Sequence, residues 1–168
     1  MIDYEVREVL QKRWDLFVPY LRGGRCCQMP FPGGKAFAVF SDGITDREDK
    51  GFGGIRAFVK YSYAFRNSPW RREAIPEMPE PTTKEGIAFL NKNIRQLSRI
   101  GTFLMWRRRR YAKMLIEKTL PLLNVKYVEC LTAHNDVSSL LENCGFKLVK
   151  NITRTKTLYY IWKNDSAI

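Results

Sequence analysis

Four consecutive arginines, Arg107 to Arg110, stand between a strand-like stretch ending at Leu104 and a helix-like stretch beginning at Tyr111. A helix N-terminus presents unbonded backbone N–H groups and the positive end of the helix dipole. A strand feeding a helix is therefore a common phosphate-binding device in α/β folds. Cations at that end oppose the dipole and cost about 0.3–1 kcal/mol each. Four of them are a poor choice for stability alone and a good one for holding an anion. The natural anions are a phosphorylated cofactor and a nucleic-acid backbone.

Two further groups could move protons. His134, the single histidine, and Asp136 follow the strand-like run Lys126 to Ala133. They stand at the C-terminal rim of a strand, where open α/β sheets bind ligands. His134 alone has an ordinary pKa suited to proton transfer near neutrality. Asp136, or Asn135 beside it, also reads as a helix N-cap. Glu129 alternates with Val128 and Cys130, so it faces the cleft or solvent. Tyr61 and Tyr63 fit either a substrate groove or ordinary packing. A second basic group, Arg66, Trp70, Arg71 and Arg72, combines guanidinium with an aromatic ring. That mixture can grip phosphates and stack on a base.

Composition narrows the partners. The chain has 168 residues, 45% of them hydrophobic, which suits one folded domain over residues 1–168. Lys and Arg number 29 against 17 Asp and Glu, a net charge of +12. That excess favours a polyanionic partner, with nucleic acid foremost. No apolar run approaches the ~18–20 residues that span a bilayer. The start of the chain is charged and periodic, unlike a signal peptide. No membrane role is expected, and a cytoplasmic location is. The four cysteines, Cys26, Cys27, Cys130 and Cys144, form no C-x-x-C pair, so no metal site is expected. Cys130 and Cys144 read as core.

These residues need elements to hold them. Val6, Val9, Leu10, Trp14, Phe17, Val18 and Leu21 recur at helical spacing, predicting an amphipathic helix over residues 3–22 that stops at Gly23-Gly24. Lys35 to Ser41 and Gly54 to Phe65 read as strands and could form a hairpin. Residues 67–83 hold Pro69, Pro76, Pro79 and Pro81 and predict a mobile loop. Thr82 and Glu85 form a possible capping box, with a helix after it. Leu97 to Leu104 is a strand, Tyr111 to Leu123 a helix and Lys126 to Ala133 a strand. Val137, Leu140, Leu141 and Cys144 mark a short helix ended by Gly145. Phe146 to Lys150 and Thr155 to Lys163 are closing strands. The strand-helix-strand unit from Leu97 to Ala133 implies a right-handed parallel crossover. The fold expected is an α/β sandwich with a mixed sheet.

From roughly Phe37 to Lys163, and most specifically from Leu97 to Val149, these features resemble the GNAT acyltransferase superfamily. Members carry an R/Q-x-x-G-x-G/A loop after a strand, and that register reads Arg107-Arg108-Arg109-Arg110-Tyr111-Ala112 here. The helix ending in Gly145-Phe146 resembles the family's "GF" helix. Leu97-Ser98-Arg99, Thr119-Leu120-Pro121, Tyr127-Val128-Glu129 and Tyr61-Ser62-Tyr63 are similar to the pattern of Mom-like members, the phage DNA-modification protein Mom and its relatives. The resemblance implies a mostly antiparallel sheet with a central parallel crossover, flanked by helices. It implies acetyl-CoA, or another acyl or phosphorylated donor, held by Arg107, Arg108, Arg110, Tyr111 and Ala112. Gly101, Thr102 and Phe103 become the oxyanion donors, and Ser98, His134 and Asp136 the catalytic set. Arg66, Trp70, Arg71 and Arg72 would then engage nucleic acid whose base amine is the acceptor. An amine of a small molecule or protein is the alternative acceptor. A non-catalytic nucleic-acid-binding module is a third reading. Two departures bear on the chemistry: Arg110 stands where the loop has its first glycine, and Leu141 stands where many members have an acidic tyrosine.

Overall fold

A computed structural model of the chain describes residues 4–9, 34–41, 55–102 and 106–165. Seven strands form one sheet: β1 (Tyr4–Val9), β2 (Lys35–Ser41), β3 (Ile55–Tyr63), β4 (Ile94–Thr102), β5 (Tyr127–Thr132), β6 (Lys147–Ile152) and β7 (Thr157–Lys163). Their order is β1-β2-β3-β4-β5-β7-β6. Every neighbouring pair is antiparallel except β4 and β5, which run parallel. The helices are α1 (Arg71–Ala74), α2 (Lys84–Asn93), α3 (Tyr111–Thr119) and α4 (Asn135–Asn143).

Period-two burial splits the sheet residues between two faces. Phe37, Val39, Val59, Leu97, Val128 and Cys130 join Leu115, Ile116 and Leu141 in the main core, beneath α3 and α4. Ile94, Tyr127 and Ile161 turn the other way, onto Ile75, Met78 and Leu90 beneath α1 and α2. A third cluster, with Ala36, Ala38, Phe40 and Phe58, lies under the β1–β3 end.

The N-terminal segment departs from expectation. The helix predicted over residues 3–22 gives way to β1 over Tyr4–Val9, and the rest of that range lies outside the described residues. Tyr4-Glu5-Val6-Arg7-Glu8-Val9 alternates as well as it repeats at helical spacing. The edge of β2 offers it a ladder from Tyr4↔Ser41 to Val9↔Ala36. Val6 packs on the main core and Val9 joins the opposite cluster, so both faces of β1 find partners.

Residues 67–83, expected to be a mobile loop, instead cover one sheet face through α1, Ile75 and Met78. The α2 cap is Thr83, one residue beyond the predicted Thr82; its Oγ1 accepts from Gly86 N–H at 3.0 Å. Helix α3 ends earlier than predicted. A 3-10 turn, Pro121–Leu123, replaces its last turn because proline cannot donate to the helix. Helix α4 is capped by His134, not by Asn135 or Asp136, and no side chain closes the cap. Its other end behaves as expected: Gly145 takes φ 83°, and Phe146 N–H reaches back to Leu141 C=O at 3.0 Å.

Candidate functional site

The parallel ladder between β4 and β5 is short. It holds Ile94↔Tyr127, Arg95↔Val128 and Gln96↔Glu129 and then stops. Among the described residues, β4 beyond Gln96 continues to Thr102 paired only with β3, and β5 continues to Thr132 paired only with β7. The two strands therefore part into a fork that opens toward their C-terminal ends. A β-bulge marks the parting. Lys60 pairs with Arg99 and Tyr61 with Leu97, leaving Ser98 as the extra residue on β4. The Ser98 hydroxyl donates to Lys60 C=O at 3.1 Å, so this expected catalytic residue stands at the fork but is tied to the backbone of β3.

The turn into α3 follows β4, the strand whose C-terminal end borders the fork. No side chain caps α3, and no acidic residue lies in its first turn. Arg107, Arg108, Arg109 and Arg110 are all exposed. Arg108 and Arg110 adopt φ 60° and 61°, the left-handed region that glycine favours. Arg110 thus takes a backbone conformation that glycine favours, with its side chain exposed.

A packed aromatic cluster supports the turn. A bulge between Val39 and Phe40 on β2 leaves Arg56 as the extra residue on β3, which re-aims its side chain. Arg56 lies 4.5 Å from the centroid of the Trp106 ring, and Arg109 lies 5.0 Å from it. Arg56 Nη1 donates to the Tyr111 phenol at 2.5 Å, and the Trp106 and Tyr111 rings meet edge to face at 6.1 Å. Tyr111, expected among the cofactor-binding residues, therefore spends its side chain on the core; only its backbone faces the turn. Arg109 is drawn toward Trp106; Arg107, Arg108 and Arg110 are exposed in the same turn.

The expected oxyanion donors fare differently. Gly101 lies in β4 past the bulge, and a Cβ there would come within 2.4 Å of the Phe58 ring. Its glycine has a packing reason of its own. Thr102 ends β4 and is half-buried; Phe103 lies outside the described residues. Ala112 is half-buried in the first turn of α3. His134 and Asp136 are exposed just past the end of β5. The His134 carbonyl accepts from Val137 and Ser138 N–H, both at 3.1 Å, so its backbone anchors α4 while the imidazole side chain stays in solvent. Leu141 is fully buried in the main core.

The basic loop needs the largest correction. Arg71 is 1% exposed, out of reach of a nucleic-acid backbone. Its Nε donates to Glu129 Oε2 at 2.9 Å and its Nη2 to Oε1 at 2.7 Å, a bidentate pair. The Tyr159 hydroxyl adds a third bond to Glu129 Oε2 at 2.9 Å. Further Arg71 bonds reach the carbonyls of Phe65 at 2.6 Å and Arg66 at 3.2 Å. Burial works against the Arg71 charge, and the Glu129 carboxylate more than offsets it, holding the guanidinium above its ordinary pKa. Glu129 thus faces neither solvent nor a free cleft. Arg72 pairs on the surface with Glu80. Trp70 is half-buried with its ring centroid 6.4 Å from that of Tyr159. Arg66 remains exposed.

Tyr61 is also internal. Its phenol lies 2.9 Å from Thr119 Oγ1, locking α3 to β3, and burial raises its pKa. Tyr63 is exposed under the Arg95 guanidinium at 4.5 Å. Sequence reasoning missed one neighbouring feature. An open cavity of about 380 Å³ lies where Ala133 and Asn135 meet Asn151, Thr153, Lys156 and Leu158. No local motif announces it, because its walls come from two separate stretches of the chain. Among the described residues no cluster of His, Cys, Asp and Glu gathers as a metal site. No helix among them is long and apolar enough to cross a membrane.

This architecture has clear structural counterparts. Arabidopsis thaliana NAA60 in complex with acetyl-CoA matches 98% of this chain over 100% of its own, at a TM-score of 0.64 and 12% identity. A mutant of the spermidine N-acetyltransferase SpeG from Vibrio cholerae matches 98% over 96%, at 0.62 and 10%. An IAA acetyltransferase from Bacillus cereus matches 96% over 100%, at 0.59 and 9%. No family model and no curated protein sequence matches the chain. The fold is that of the GNAT acetyltransferases: a mostly antiparallel seven-stranded sheet with one parallel pair at its centre. At these identities the likeness is one of fold.

Proposed function

We propose that this protein transfers an acyl group from an acyl-coenzyme A to an amine. The observation that carries this reading is the fork between β4 and β5, which opens at the C-terminal end of β4, the strand that leads in the chain to the uncapped, arginine-preceded start of α3. Structural neighbours in complex with acetyl-CoA and with CoA support the same donor. Coenzyme A presents its acyl group as a thioester, activated toward a neutral amine.

The residues here fit such a molecule. The first turn of α3 offers N–H groups and the helix dipole to a pyrophosphate, and Arg107, Arg108 and Arg110 add charge. Past Ser98 no described strand pairs with the β5-facing edge of β4, so its main-chain groups can meet an extended ligand arm. In the transfer, the N–C bond forms, the C–S bond breaks and the amine loses a proton. His134 and Asp136, exposed at the end of β5, take that proton out to solvent. With Leu141 sealed in the core, the departing thiolate draws its proton from water.

A second reading keeps the chemistry and makes the acceptor a base amine of nucleic acid, as in Mom-like proteins. The net charge of +12 and the exposed arginine turn favour it. The burial of Arg71 and the pairing of Arg72 remove two of the contacts it had called on.

Calorimetric titration with acetyl-CoA tests the common ground. The wild type is expected to bind saturably at micromolar concentration. Replacing Arg107 and Arg110 by Ala is expected to weaken binding at least tenfold, about 1.4 kcal/mol. Unchanged affinity in the double variant would remove the arginine turn from the donor site. A wild type that does not bind acetyl-CoA would end the proposal.

A further inference from the structure

Two buried side-chain oxygens lack a hydrogen-bond partner among the described residues: Gln96 Oε1 and Ser68 Oγ. They belong to one neighbourhood of the chain. Gln96 is the last residue of β4 paired with β5, and its register partner is Glu129. Ser68 lies in the turn whose carbonyl accepts from Arg71 N–H at 3.2 Å, and Arg71 holds Glu129. Gln96 shares its sheet face with Ile94, on the α1 and α2 side. It is 8% exposed, and its buried oxygen faces no donor among the described residues.

Native folds pair nearly all buried polar atoms, and an unpaired one calls for an explanation such as a ligand role. The position of Gln96 supplies one. It is the last rung before the strands part, so a group entering the fork from its open end reaches this rung at the base. The chemistry of the rung is specific. Glu129 already accepts from Arg71 Nε, Arg71 Nη2 and Tyr159 Oη. Its charge is matched, and it has none to spare for a ligand. Gln96 contributes an acceptor oxygen that is neutral and does not take up a proton. A buried neutral acceptor satisfies an uncharged N–H but does not compensate a cation.

We infer that Gln96 Oε1 receives an N–H of the acceptor, and that it selects a nitrogen already neutral at working pH: an aromatic or heteroaromatic amine in preference to an aliphatic ammonium. This rests on the acyl-transfer reading above and deepens it. Gln96 would touch the substrate.

The test uses the full chain saturated with acetyl-CoA. Aniline, deoxycytidine and spermidine are titrated separately while the Gln96 side-chain amide is followed by NMR, its signal assigned by its absence in Gln96→Met. The expected result is a saturable shift with aniline or deoxycytidine, and binding of spermidine at least tenfold weaker. Gln96→Glu, which places a charge at the same point, is expected to reverse that preference. Gln96→Met should weaken the aromatic amine at least tenfold, leave acetyl-CoA affinity unchanged and melt no lower than the wild type, since the oxygen it removes has no bond to lose. Three results would overturn the inference while leaving the donor site intact. They are the absence of a Gln96 shift with either aromatic probe, equal or tighter spermidine binding by the wild type, and a clear loss of thermal stability in Gln96→Met. Absence of acetyl-CoA binding would overturn both proposals together.

Discussion

Arg110 shows how a single residue can break a sequence pattern and still keep its geometry. Glycine is favoured in such turns because it enters φ > 0 without steric cost, whereas an L-residue there loses roughly 1–2 kcal/mol. Arg110 accepts that strain at φ 61° with its side chain in solvent. Arg110→Gly is therefore expected to leave folding stability equal or higher, within about 1 kcal/mol, by urea denaturation. If the turn's backbone does the glycine's work, that variant also keeps acetyl-CoA affinity within tenfold. Arg110→Val should lose about 1–2 kcal/mol of stability, since a β-branched residue is a true outlier at positive φ. A clear loss of stability in Arg110→Gly would show that the arginine side chain, and not the turn, holds this segment. The backbone angle, which no residue name encodes, places Arg110 in the region that glycine favours.

At the scale of elements, the ion pair Arg71–Glu129 fastens α1 and the turn before it to β5. Such a pair is a poor source of net stability but a costly one to half-remove, because the abandoned charge stays buried. Arg71→Met and Glu129→Leu are each expected to cost about 3–5 kcal/mol. The double variant should cost less than their sum, with a coupling of about 0.5–3 kcal/mol between the sites. Denaturant titration of the four proteins completes the cycle. Singles costing well under 1 kcal/mol would mean that α1 is held by Ile75 and Met78 alone. The sequence offered Arg71 as one cation among neighbours. Nothing local distinguishes it from Arg72, yet one is buried in the fold and the other pairs with Glu80 at the surface. The distinguishing fact is a carboxylate 58 residues away.

At the scale of the whole molecule, the main core binds both sheet and helices through residues that stay neutral. Burial pushes the Cys130 thiol up to about 12 and the Cys144 thiol up to about 11, from an ordinary 9.0. The folded state keeps these protons while the unfolded chain releases them. Stability is then fully present below pH 9.0 and falls as pH rises toward 11, with the buried tyrosines Tyr61 and Tyr159 adding to the loss above 10.0. In a background with Cys26→Ser and Cys27→Ser, no thiol should react rapidly with a maleimide at neutral pH while the chain is folded. Replacing Cys130 and Cys144 by Ala should flatten the decline in urea midpoint just above pH 9.0. Rapid labelling of the folded chain would place a thiol outside the core.

The sequence by itself determined most of the elements of the second half: the strand-helix-strand crossover, the short helix closed by Gly145 and the two final strands. Those are local signals, carried by hydrophobic period, a glycine stop and a proline break. It also determined the charge, and with it the arginine turn before α3. Tertiary structure decided what depends on partners distant in the chain. It made residues 4–9 a strand, because an unpaired sheet edge outweighs an ambiguous period. It buried Arg71 against Glu129, spent Tyr111 on Arg56 and tied Ser98 to β3. It also parted β4 from β5 just beyond Gln96, since a fork is a property of two ladders that diverge and is written in neither strand alone.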